Sequence, residues 1–152
     1  MVSEAEATTS QPASGPTTRV GGCLCGAVRY EITGDPFLFN VCHCNNCKKM
    51  SGSAFMANVF FNVDQFRIVS GQSSLNTYAD TSTMSGNTLS RTFCSTCGSP
   101  VTLVLGHVPT MVVLPVGCVE DTYHWRPHKE IFCGDKLGWV GDVEGAQKED
   151  QG

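Results

Sequence analysis

Seven of the nine cysteines in this chain fall into short-spaced sets. Gly22-Cys23-Leu24-Cys25-Gly26 puts two thiols one residue apart, and far downstream Cys94-Ser95-Thr96-Cys97-Gly98 supplies a C-x-x-C knuckle. Zinc takes four soft ligands in a tetrahedron, and a closed set of four cysteines is its usual structural form. Cys23, Cys25, Cys94 and Cys97 are therefore expected to hold a structural zinc that clamps an early strand to a late one and adds its binding energy to folding. The glycines beside them permit the tight loops that such knuckles need. The competing reading, a disulfide or a redox dithiol of the thioredoxin kind, wants a βαβ context that the sequence lacks.

The remaining set is different in kind. Cys42-His43-Cys44-Asn45-Asn46-Cys47 overlaps C-x-C with C-x-x-C in one short loop. Three thiolates from one loop can form a tripod around zinc and leave its fourth position open, which is the mark of a catalytic site. Such a site lowers the pKa of a bound water or thiol and holds a thiol in its nucleophilic form. Three alternatives stand beside it: closure by His43, closure by Cys118 or Cys133 folding back, or a metal-free loop with one redox-active cysteine. The candidates for general acid or base near the metal are His43, Glu130 and His124, with His128 beside them. His43 has the strongest claim because it sits inside the tripod loop. Arg126 and Lys48 are candidates for holding a substrate carboxylate.

The rest of the composition bounds what such a site can serve. The chain has 152 residues, 41% of them hydrophobic, and a formal net charge of −4. That length is one ordinary domain, and the acidic balance argues against gripping nucleic acid or anionic lipid through bulk charge. No run approaches a membrane span. Residues Met1 to Thr18 lack the basic and apolar regions of a signal peptide, so a cytoplasmic, reducing setting with zinc-held thiolates is expected. Their Ser, Thr, Pro, Ala and Glu composition reads as a disordered tail. Residues 19–142 then form one zinc-binding domain, and 143–152 a flexible C-terminal tail.

The elements that must position these cysteines read as short strands. Alternating or β-branched runs occur at 27–32, 53–61, 66–69, 89–93, 101–105 and 111–114, punctuated by Gly, Pro, Asn and Asp. No window carries a 3.6-residue apolar stripe, although Asn45 to Ser51 suits one short helical turn. The fold class is mainly β, as small antiparallel sheets. Phe55, Met56, Phe60 and Phe61 are expected to be core, with one face of their strand available to line a pocket. Cys118 and Cys133 are expected to be small buried hydrophobes.

Taken together, Gly22-Cys23-Leu24-Cys25-Gly26-Ala27-Val28-Arg29-Tyr30, Cys42-His43-Cys44-Asn45-Asn46-Cys47 and Phe93-Cys94-Ser95-Thr96-Cys97-Gly98-Ser99-Pro100 resemble the glutathione-dependent formaldehyde-activating family, which also contains centromere protein V. The resemblance runs from about Gly21 to Val140. It implies a β-tent fold, shared with a small guanine-nucleotide-exchange chaperone, stapled by a structural zinc at Cys23, Cys25, Cys94 and Cys97. It also implies a second, labile catalytic zinc at Cys42, Cys44 and Cys47. The type reaction joins formaldehyde to glutathione and is of carbon–sulfur lyase class, so the implied partner is a small-molecule carbonyl, glutathione or a thiol adduct. A tailoring or detoxifying reaction on a larger organic molecule, and a non-catalytic interaction module, are the alternatives. Members often carry a histidine where this chain places Glu130.

Overall fold

Side chains alternate across a strand, and in this molecule each face of one large sheet has its own partner. The computed structural model describes residues 15–152. The tail expected at 1–18 falls mostly outside the described residues, and at Thr18 the chain already enters β1 (Thr18–Gly22). β1 pairs antiparallel with β2 (Arg29–Thr33), and β2 pairs with β5 (Phe66–Ser70), in a three-stranded sheet of order β1-β2-β5.

The larger sheet takes the other strands: β3 (Leu38–Cys42), β4 (Met56–Asn62), β6 (Leu75–Asp80), β7 (Leu89–Cys94), β8 (Pro100–Leu105), β9 (Met111–Pro115), β10 (Lys129–Ile131) and β11 (Gln147–Glu149). Their order is β11-β10-β3-β4-β9-β8-β7-β6. From β3 to β6 every pairing is antiparallel, while β10 lies parallel to β3 and β11 parallel to β10. The only α-helix among the described residues is α1 (Asn45–Ser51), directly after β3. The fold is mainly β, as expected. The segment 143–152, expected as a flexible tail, contributes β11, because Lys129 on β10 reaches Glu149 at 2.6 Å and the backbones pair.

Two apolar clusters divide the sheet's faces. Val59 and Phe61 of β4 point to one face, where Tyr30 and Ile32 of β2 meet Phe39, Val112 and Leu114. This is the main core, and it joins the small sheet to the large one. Met56 points to the opposite face, where it packs with Cys42, Cys47, Leu103 and Val113. The tripod loop therefore rests on the sheet face that the main core does not use. Among the described residues no helix is long and apolar enough to cross a membrane.

Candidate metal centres

Cys23 and Cys25 follow β1, and Cys94 and Cys97 bracket the turn between β7 and β8. Gly26 (φ 81°) and Gly98 (φ 75°) occupy left-handed conformations that close the two knuckles. Within them Gly26 N donates to Cys23 O (3.2 Å) and Gly98 N to Cys94 O (2.8 Å). The four sulfurs all lie within 4.8 Å of one another, with Cys23–Cys25 at 3.5 Å and Cys25–Cys94 at 3.8 Å. A tetrahedron with metal–sulfur bonds of about 2.3 Å has edges of roughly 3.8 Å, so the donor set fits zinc. Hydrogen bonds from Ser99 lower the Cys97 thiol to about 5, which favours the ligating thiolate.

Cys42, Cys44 and Cys47 form the second set, their sulfurs again within 4.8 Å. Cys42 ends β3, Cys44 is the N-cap of α1, and Cys47 is buried on that helix. The local fold follows from capping: Cys44 Sγ accepts from Cys47 N (3.4 Å), as a polar N-cap side chain would. That bond turns both thiols to one side. Hydrogen bonds from Cys42 and Cys47 hold Cys44 far below the usual thiol range, and the same contact with Cys44 pushes Cys42 up. Three soft donors, one of them readily ionised, fit zinc. No fourth His, Cys, Asp or Glu donor joins this group among the described residues.

The histidine inside the loop goes elsewhere. His43 is fully buried, and its Nε2 meets Glu130 Oε1 at 2.8 Å. Burial pushes the Glu130 carboxyl up, but hydrogen bonds from Lys136 (2.5 Å) and His43 overcome this and hold it below the ordinary carboxylate range. It is thus the acceptor, and His43 Nε2 carries the proton. Val143 N also donates to Glu130 (3.3 Å), and Cys133 Sγ donates to the Glu130 carbonyl (3.2 Å). His43 and Glu130 are brought together, as a buried pair behind the loop.

The front of the tripod opens on a cavity of about 520 Å³. Its wall follows from alternation: Leu38, Asn40 and Cys42 of β3, Asn58 and Phe60 of β4, Val113 of β9, Leu103 and Leu105 of β8, Leu89 and Arg91 of β7, and Lys129 and Ile131 of β10. Register sets these side by side, with Leu38 opposite Phe60, Asn40 opposite Asn58, and Cys42 opposite Met56. Phe132 closes one edge from a left-handed backbone (φ 55°), a conformation that costs a bulky residue about 1–2 kcal/mol. Neither His43 nor Glu130 reaches this wall.

His124 lies apart from both clusters. It borders a different surface cleft with Asp35, Trp125 and His128, where its Nε2 is 3.0 Å from Arg19 Nη2. His128 Nδ1 accepts from Phe39 N (3.0 Å), Arg126 folds onto the carbonyls of Tyr123 and Trp125, and Lys48 donates to Asp135 O (2.6 Å). None of these four side chains lines the cavity. Sequence reasoning missed Asp80 and Arg91. Both are buried, Arg91 donating to Asp80 Oδ2 at 2.9 Å, and Asn46 of α1 donates to the same carboxylate at 2.9 Å. This joint ties the tripod's helix to the far wall. The available signal was Arg91, a charge in the alternating run 89–93 at the position that shares a face with Leu89 and Phe93.

The cysteine geometry and the comparisons with known proteins agree. The family model described as glutathione-dependent formaldehyde-activating enzyme matches residues 18–135, a span that holds both cysteine clusters. The chain belongs to the glutathione-dependent formaldehyde-activating family. A Halomonas elongata protein provisionally named as a glutathione-dependent formaldehyde-activating enzyme is 29% identical over 136 residues, covering 85% of this chain and 83% of its own. The crystal structure of a Rhodobacter sphaeroides protein matches with a TM-score of 0.53 and 19% identity, over 86% of this chain and 98% of that one. That second likeness speaks to the fold alone. The formaldehyde-activating family model stops at residue 135, so β11 and Lys136, which bridges Glu130 and Asp142 (2.8 Å), lie beyond its match.

Proposed function

We propose that this chain is a zinc-dependent enzyme that forms and breaks a carbon–sulfur bond between a thiol and a small carbonyl compound at Cys42, Cys44 and Cys47. One observation carries the reading: three convergent thiols stand on a cavity wall, with no fourth protein donor closing the set among the described residues. Zinc bound there supplies a Lewis-acid position at which a thiol ionises near neutral pH. In the forward direction the thiol's sulfur bonds to the carbonyl carbon, the C=O π bond breaks, and the carbonyl oxygen takes up the proton the thiol gave. The reverse returns thiol and carbonyl. The cavity wall holds the two partners together and restricts water, which favours reaction over solvation of the thiolate.

His43 and Glu130 act in this scheme as positioning residues. The ring is fixed by Glu130, Glu130 by Lys136 and Val143, and the loop that carries Cys42 and Cys44 is thereby held to one geometry. Cys23, Cys25, Cys94 and Cys97 hold the structural zinc. His124 has no part in the chemistry.

The test uses zinc-loaded protein, formaldehyde, and two thiols in separate reactions, glutathione and 4-phenylbutane-1-thiol. Adduct formation and breakdown faster than the uncatalysed rate with at least one thiol, lost in Cys44→Ser, is the expected result. Background rates with both thiols would overturn the reading.

A further inference from the structure

The cavity beside the tripod also narrows which thiol it serves, a step that rests on the carbon–sulfur reading above. Leu38, Phe60, Val113, Leu103 and Leu105 form one apolar stretch across β3, β4, β9 and β8. At about 520 Å³ the cavity exceeds what formaldehyde and a sulfur atom fill, and it matches the size that takes a whole organic molecule.

Charge decides which kind of molecule. Two cations lie within the wall, and each is already neutralised there. Arg91 donates through Nε to Asp80 and places Nη2 2.9 Å from the same carboxylate, so its charge is matched although Nη1 has no partner among the described residues. Lys129 donates to Glu149 at 2.6 Å, and Glu149 is itself part of the lining. His107 is exposed, and the other exposed loop side chains that line the cavity, Asn87 among them, are neutral. A thiol carrying two carboxylates would have to surrender their hydration for at most the Nη1 donor of a guanidinium that Asp80 already neutralises, which is costly. An apolar body gains on the same wall. Near Cys42 lies a second, uncharged polar spot, where Asn58 Nδ2 lies 3.4 Å from Asn40 Oδ1 and Asn58 Oδ1 has no partner among the described residues.

We propose that the thiol partner of this chain is a neutral thiol with an aromatic or branched apolar body. Its sulfur lies at Cys42, Cys44 and Cys47, and its body lies along the stretch from Leu38 to Leu105. A charged tripeptide such as glutathione is the weaker ligand.

Cobalt-substituted full-length protein tests this, because a thiol arriving at the tripod changes the sulfur-to-cobalt absorption bands whether or not reaction follows. Titration with 4-phenylbutane-1-thiol should saturate at a concentration about 30-fold below that for glutathione. Leu105 is half-buried, so Leu105→Glu is tolerated by the fold, and it should weaken the phenylalkyl thiol about 10-fold while moving glutathione by less than about two-fold. Leu38→Glu repeats the test from the opposite end of the wall. Glutathione binding as tightly as the phenylalkyl thiol, or a ratio unmoved by both variants, would overturn the proposal and leave the carbon–sulfur reading standing. Bands unchanged by either thiol would overturn both.

Discussion

At the scale of single residues, the tripod loop separates two jobs that lie next to each other in sequence. Cys42 and Cys44 face the cavity, while His43 between them is buried with Glu130 behind it. Cys44→Ser should remove one zinc per chain and leave the Cys23 cluster loaded, as a native mass spectrum reads directly; loss of both metals would show that the clusters are not independent. Glu130 gives a pH prediction. Its folded-state carboxyl is held below the ordinary range, so the unfolded chain takes up its proton first as pH falls. The stabilisation is therefore present above the ordinary carboxylate value and disappears as pH drops through the folded one. Glu130→Gln should lower stability at neutral pH by about 1–3 kcal/mol, since it takes the carboxylate from a buried His43 and leaves Lys136 paired with Asp142 alone. It should also flatten the acid limb of a plot of urea midpoint against pH. An acid limb as steep as that of the parent protein would contradict this.

At the scale of elements, the strands that carry strong apolar alternation were legible, and the others were not. The runs read from sequence at 27–32, 53–61, 66–69, 89–93, 101–105 and 111–114 overlap β2, β4, β5, β7, β8 and β9, and the helical turn read at Asn45 to Ser51 is α1. β3 escaped notice because Leu38-Phe39-Asn40-Val41-Cys42 is at least half-buried along its whole length, and its single polar residue, Asn40, makes no alternation. β6 escaped because its edge position leaves Asn76, Thr77 and Tyr78 in water. β10 and β11 have three residues each, too few for any period. The metal ligands were legible because their spacing is local. The cavity was not, because it takes residues from seven strands whose register no single segment encodes. Asp80 is the element-scale joint, holding both Arg91 of β7 and Asn46 of α1. Asp80→Asn should cost roughly 3–5 kcal/mol by leaving the buried guanidinium uncompensated, a loss that urea unfolding would detect. A change under about 1 kcal/mol would mean the joint is not what holds the helix.

At the scale of the whole molecule, the two cysteine clusters sit in different surroundings, and that difference is the basis of the account. One joins the turn after β1 to the β7–β8 turn with four sulfurs in a closed set; the other lines a cavity with three. A closed set of four thiolates resists release, whereas an open set of three admits an outside ligand at the fourth position. The most direct measurement is a native mass spectrum of protein purified without chelator, repeated after a brief mild chelation. Two zincs per chain, of which one leaves on chelation and carries catalytic activity away with it, is the predicted result. A single tightly held zinc, or two zincs that resist chelation equally, would contradict an open metal site at Cys42, Cys44 and Cys47.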